Sequence, residues 1–231
     1  MKKLLILFIL LLSIQQVSSQ NVLDELKKVK DSILNLDIKE KKMTATVEAT
    51  GKSKSEIYSS INKWVSLNYN SANNVIQMND KESGIMIVKG LSAVSFINPT
   101  RTIYPKTKAI PIKSKILLNH LLEIKVKDNK YRLIYSISGK TDNTPKNTID
   151  ANPNTWDCIN LNGATEESIG RFNYHWKEIL KTSMMGKKRK AKYLSLSKPV
   201  FEEINSTIAL SFVSNFISIT KMVNETSDDD W

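Results

Sequence analysis

The residues able to do chemistry are few. The chain has two histidines, His120 and His175, and one cysteine, Cys158. A zinc or metallohydrolase centre needs ligands at close helical or hairpin spacing, and neither HxH nor HExxH occurs. His120 falls on the apolar face of an alternating stretch, which reads as a satisfied core histidine. His175 flanks the apolar stripe of a helical segment. A nucleophilic Cys158 would need a partnering histidine and an activating environment. A lone thiol is more commonly a small buried hydrophobe. The seven glycines never cluster, so there is no phosphate-cradling loop, and no GxSxG elbow is present. Asp142, Asp150 and Asp157 lie in an Asn/Asp-rich stretch, but their spacing matches no EF-hand and reads as a solvated loop. Paired carboxylates that meet only in the fold are the remaining route to catalysis. The reading is a protein that is not an enzyme, with no catalytic residues, no cofactor and no metal site.

The densest chemical signal is cationic. "MMGKKRKAK", Met184 to Lys192, carries five basic residues: Lys187, Lys188, Arg189, Lys190 and Lys192. Such a run serves a nuclear address, a nucleic-acid contact or an anionic surface. The first twenty residues bear on the choice. Lys2 and Lys3 precede an unbroken apolar run, Leu4 to Leu12, and Val17 and Ser19 offer small residues before a cleavage point. That is the pattern of a secretory signal peptide, with cleavage near Ser19. The apolar run is shorter than the about 20 residues a bilayer span needs, and no later segment reads as long and uncharged enough to span. The mature chain is therefore expected to be exported, periplasmic or secreted, without a transmembrane segment. Export sets aside the nuclear address and demotes nucleic acid. Gly186 suits a helix stop, and cations after it complement a helix C-terminus. The run then reads as a solvated linker between helices, with anionic-surface contact as its functional alternative.

Net charge agrees with that alternative. The whole chain is +11, and removing residues 1–19, which hold two lysines and no acid, leaves +9. Partners outside the cytoplasm are then lipid head groups, acidic envelope polymers or an envelope protein. With a single cysteine the fold has no intramolecular disulfide and rests on an ordinary core.

The elements that would position these residues follow from periodicity. Residues 20–40 show helical spacing (Val22, Leu23, Leu26, Val29, Ile33, Leu36) and are expected as a short amphipathic lead segment. Asp31-Ser32-Ile33 fits a short O-glycosylation acceptor pattern. Met43 to Ala49 alternates as a strand. Ser53 or Ser55 caps a helix to about Tyr69, with Ile57, Ile61, Trp64, Val65 and Asn68 inward and Lys54, Ser60 and Lys63 outward. Strands are expected at 73–79 and from Ile85 toward Phe96, separated by a polar turn at 80–84. Residues 97–115 hold three prolines and many lysines and read as a loop or edge segment. Ile116 to Val126 and Tyr131 to Ser138 form a hairpin about Asp128-Asn129. Residues 139–163 lose all periodicity. Thr165 caps a helix bearing Ile169, Phe172, Trp176, Ile179 and Leu180, and Pro199 opens another whose stripe is Phe201, Ile204, Ile208, Phe212, Phe216 and Ile219. The chain ends in acidic SDDDW.

Three of these stretches together resemble a known family: residues 54–90, the hairpin 122–137, and the long C-terminal helical region. Lys54, Tyr58, Trp64, Asp80, Gly84, Gly90, Lys127, Asp128, Lys130, Tyr131 and Arg132 match a family of exported Bacteroidetes domains of unassigned function with a TBP-like fold. Asn129 departs from the glycine expected in the hairpin, though Asn tolerates the same left-handed backbone. The resemblance covers roughly residues 40–140 and implies an α+β protein: an antiparallel sheet in β-α-β-β-β-β order, packed by helices, plus a C-terminal helical pair. It carries no catalytic residues. Tyr58 and Trp64 read as core anchors, while Lys125 and Arg132 point from the opposite, cationic face of the sheet. The organisation is then a signal peptide (1–19), a lead segment (20–40), the TBP-like domain (41–140), a polar loop (141–164) and a C-terminal helical segment with an acidic tail (165–231). The functional expectation is an exported, non-enzymatic binding or accessory module. Its alternative is a carrier, enclosing an apolar ligand between the sheet and the C-terminal helix.

Overall fold

The computed structural model describes residues 34–69, 71–140, 158–163 and 165–225. The signal-peptide pattern, the 31–33 acceptor, Asp142, Asp150, Asp157 and the acidic tail lie outside these residues.

Six strands form one antiparallel sheet: β1 (Asn35–Lys39), β2 (Lys42–Glu48), β3 (Ile76–Asp80), β4 (Ile85–Ile97), β5 (Lys113–Lys127) and β6 (Lys130–Lys140), in the order β1-β2-β6-β5-β4-β3. The helices are α1 (Lys54–Asn68), α2 (Ala72–Val75), α3 (Pro99–Ile103), α4 (Glu166–Thr182), α5 (Lys187–Ser195) and α6 (Ser197–Glu225). Period-two alternation selects the inner face. Met43, Ala45 and Val47 on β2, Leu118, Leu122 and Ile124 on β5, and Tyr131, Leu133 and Tyr135 on β6 are all buried. α1 and α6 cover that face. Phe212 of α6 stacks on Tyr135 with ring centroids 4.3 Å apart and planes 5° from parallel. Trp64 Nε1 donates to Ser218 Oγ at 2.8 Å, and the Tyr131 hydroxyl to Thr220 Oγ1 at 3.0 Å. Such direct ring contact is worth about 0.5–1.5 kcal/mol beyond area burial.

The hairpin turn is tied to the start of α1. Asn129 adopts φ 62°, the left-handed conformation the turn needs. Its side-chain oxygen accepts from Gly51 N at 2.8 Å, and Asp128 Oδ1 accepts from Lys54 N at 2.7 Å. Asn129 therefore supplies a brace that glycine could not. Ser53 and Glu56 complete a reciprocal capping box at the same helix end. Gly84, at φ 74°, faces Val126 so closely that a Cβ would lie 2.4 Å from its carbonyl oxygen. The family-matching residues in this corner thus serve geometry.

Several expectations change. Residues 35–39 are an edge strand, not part of a lead helix: Leu34 and Leu36 are buried on the sheet's inner face and Ile38 packs beside them. The strand expected at 73–79 begins only at Ile76, after the short turn of α2. The 97–115 segment contains α3, capped by Asn98, and the start of β5. Ser60 points inward, its hydroxyl satisfied by the Glu56 carbonyl at 2.9 Å, while Asn68 is exposed. By length and composition alone, the helical stretch Lys187–Glu225 is apolar enough to cross a bilayer, against the expectation from sequence. Half of its most apolar window is buried in the protein, where the stripe from Phe201 to Ile219 forms the core.

The basic run changes most. α4 ends at Thr182 with Ser183 as its C-cap, and Gly186 is the N-cap of α5 at φ −66°. The five cations are therefore helical, not a linker after a helix stop. Lys, Arg and Ala are good helix formers, and Tyr193 gives the short helix a buried anchor.

Candidate functional site

Three polar constellations stand out, and each is built differently. The first is internal. His120 on β5 is 3% exposed, and its Nδ1 lies 2.9 Å from Ser92 Oγ on β4. Its Nε2 lies 3.1 Å from the Tyr69 hydroxyl. Asn215 of α6 donates to the Tyr135 hydroxyl at 2.9 Å. Gly90 makes room for this cluster, since a Cβ there would meet the His120 ring at 2.5 Å and Tyr69 at 2.7 Å. Burial lowers the His120 pKa from 6.5 to about 4 and raises that of Tyr135 well above its ordinary value. A Ser–His pair at this distance has the spacing of a nucleophile and its base. Here Tyr135 and Phe212 pack edge-on against the imidazole at centroid distances of 5.2 and 6.0 Å. The pair is core, with its polar atoms satisfied, as its sequence position predicted for His120. Cys158 is likewise fully buried.

The second constellation lies on the outer face of β1, β2 and β6. Asn35, Asp37, Lys39, Lys42, Thr44, Thr46, Arg132 and Ile134 line an open depression of about 360 Å³. Arg132 Nε donates to Thr46 Oγ1 at 3.3 Å, and Lys39 pairs with Asp37 at 3.8 Å. Arg132 and Lys125 do project outward, as expected, and face each other across β5 and β6; Glu123 bridges Lys125 at 2.8 Å. Both signs of charge are present and water reaches all of them, which describes a solvated sheet face.

The third is a basic pole. α5 packs against α3, and the Arg189 guanidinium carbon sits 5.0 Å from the Tyr104 ring centroid. That contact joins two acid-free stretches of chain, residues 83–122 and 179–201. The first contributes Arg101, Lys106, Lys108, Lys113 and Lys115; the second contributes Lys187, Lys188, Arg189, Lys190 and Lys192. Lys106, Lys108, Lys187, Lys188, Arg189 and Lys192 are exposed and Lys190 is half-buried. Among the described residues, none of these cations forms an ion pair. Acids at the margin are already engaged: Glu178 with Lys181 at 2.6 Å, Glu202 with Lys198 at 3.9 Å, and Glu203 with the Ile97 amide at 2.9 Å.

The pole also opposes its own helix. Lys187, Lys188, Arg189 and Lys190 occupy the first turn of α5, where the helix dipole is positive, and Gly186 provides no side-chain cap. Cations there cost about 0.3–1 kcal/mol each at most, the reverse of the helix-end stabilisation expected from sequence. All five sequence-nominated cations thus fall on one short helix. The neighbouring Arg101, Lys106, Lys108, Lys113 and Lys115 were missed, although the missing acids across 83–122 were a readable signal. No cluster of three or more His, Cys, Asp or Glu suited to a metal occurs among the described residues.

No curated protein sequence matches the chain. Among solved structures, the chain is similar to a DUF4468 family protein from Bacteroides ovatus ATCC 8483, at 12% identity and TM-score 0.42, over 83% of this chain and 90% of that one. It is also similar to a TBP-like protein from Parabacteroides distasonis ATCC 8503, at 17% identity and TM-score 0.40, over 80% of this chain and 92% of that one. The family model for DUF4468, a domain of unknown function with TBP-like fold, matches residues 44–136 of this chain, from β2 to β6.

Proposed function

We propose that this protein is an exported, non-enzymatic binding module that docks onto polyanionic envelope surfaces through its basic pole. The observation that carries the reading is the convergence of two acid-free segments at the Arg189–Tyr104 contact, whose cations have no acidic partner among the described residues. Counter-charge on a partner is what such a surface lacks. The secretory pattern of residues 1–19 supports anionic head groups and acidic polymers, rather than nucleic acid, as the class of partner. The internal Ser92–His120 pair supports no competing enzymatic reading, because aromatic rings and Tyr69 occupy its surroundings. The carrier reading needs space between sheet and α6. Tyr135 instead stacks on Phe212 and packs against Phe216 at 5.4 Å.

The test is binding to a soluble polyanion, heparin or polyphosphate, at increasing salt. Wild type should bind at low salt and release as salt rises. Replacing Lys187, Lys188, Arg189, Lys190 and Lys192 by Gln should abolish the salt-sensitive component without lowering the melting temperature. Absence of wild-type binding, or equal binding by the Gln variant, would overturn the reading.

A further inference from the structure

Two exposed apolar side chains belong to the chain segments that carry the basic pole. Met184 is fully exposed, whereas its neighbour Met185 packs against the core. Met184 precedes the first cation of α5 by three residues. Ile112 is 71% exposed and lies between Lys108 and Lys113. Its carbonyl accepts from Asn98 N at 3.0 Å, which folds the lysine-bearing loop back onto the cap of α3. Since α3 packs against α5, the segments bearing the two apolar residues meet at the same helix pair. Single exposed apolar residues are ordinary on a protein surface. Long unbranched and β-branched ones set among acid-free lysines form a different pattern. Lysine stems can lie along hydrocarbon while their ammonium groups stay at the head-group level, and an apolar side chain beside them enters the acyl boundary. A soluble acidic polymer offers nothing to a thioether or a sec-butyl group.

We infer that the polyanionic surface is an anionic phospholipid bilayer, with Met184 and Ile112 inserted into its interface while the cations of α5 and the 101–115 segment contact the head groups. The inference rests on the proposed use of the basic pole and adds the apolar contacts to it. Anionic lipid attracts juxtaposed lysines within a Debye length, and insertion of the two side chains then lengthens the bound state.

The experiment measures co-sedimentation with phosphatidylglycerol/phosphatidylcholine vesicles, with pure phosphatidylcholine vesicles, and binding to heparin in parallel. Wild type should bind only the anionic vesicles. Met184→Ser and Ile112→Ser should each weaken that binding roughly tenfold, as expected for loss of one buried apolar side chain, and leave heparin binding unchanged. A Met184→Cys variant carrying an environment-sensitive dye should blue-shift on the anionic vesicles; Cys158, being fully buried, stays unlabelled in the folded protein. Vesicle binding that is unaffected by the double serine variant, with no dye shift, overturns the insertion and leaves the charge-based reading standing. Heparin binding without vesicle binding has the same meaning. Loss of both in wild type overturns both.

Discussion

Behind the sheet, His120 sits with each ring nitrogen near a hydroxyl, 2.9 Å from Ser92 and 3.1 Å from Tyr69, under a roof of aromatic rings. At the basic pole, Lys187 and Lys188 stand exposed with no acidic partner among the described residues, on a helix whose dipole disfavours them. The inner polar groups are satisfied by the fold. Those of the pole have no acidic partner among the described residues. This contrast, rather than the identity of the residues, separates a histidine that packs from the lysines for which binding is proposed.

The contrast can be broken by three measurements. The largest effect is expected from Phe212→Ala, which removes a fully buried ring stacked on Tyr135 and should cost about 3–5 kcal/mol in chemical denaturation. Heparin affinity measured where the variant is still folded should not move; a parallel loss would mean that core and pole are coupled. The second is pH. Because burial lowers the His120 pKa from 6.5 to about 4, the unfolded chain takes up a proton that the folded chain refuses. The neutral imidazole's stability is thus fully present above pH 6.5 and is lost as pH falls toward 4, by about 3 kcal/mol in all. His120→Gln should flatten the pH dependence of unfolding across that window relative to wild type. Identical slopes would show that His120 is not the titrating group. The smallest effect has the opposite sign. Lys187→Glu with Lys188→Glu places acids in the first turn of α5 and should stabilise the protein by about 0.3–1 kcal/mol per site. The same change should abolish salt-sensitive heparin binding. A variant that is both more stable and inert toward heparin would sharpen the distinction; a destabilised one would show that the cations hold the helix.

Much of the sheet was legible because its signals are local. Ser53 or Ser55 before α1, the alternation along β5 and β6, Asp128-Asn129, Thr165, and the stripe from Phe201 to Ile219 each declare their element within a few residues. β1 was not legible, because Ile33 and Leu36 fit a helical face as well as Leu34, Leu36 and Ile38 fit a strand, and only pairing with β2 decides. The pole was half legible. The five cations were evident from their spacing, but Gly186 suits a helix end and a helix start alike. The contact between Arg189 and Tyr104 links two lysine-rich segments that nothing local connects. The partners of His120 were hidden for the same reason. Its place on an apolar face was readable, whereas Ser92, Tyr69 and Gly90 meet it only through strand register and the end of α1.

The pairing of β2 with β6 has a consequence for how such a unit travels between proteins. The matched segment begins and finishes on neighbouring strands, with Thr44 beside Ile134 and Lys42 beside Ser136. A cassette whose two ends emerge side by side can be grafted onto other chains without disturbing its interior, and additions can accrue at either end. Here β1 extends the edge next to the upstream end, while the downstream end leads to a lid. That lid is part of the bargain: Phe212, Phe216 and Thr220 of α6 cover Tyr131 and Tyr135, so a version cut after residue 136 would expose a greasy, hydroxyl-studded sheet. The segment matched by the family model and the unit that folds therefore have different boundaries in this chain, and any transplant of the former must bring or find a substitute for α6.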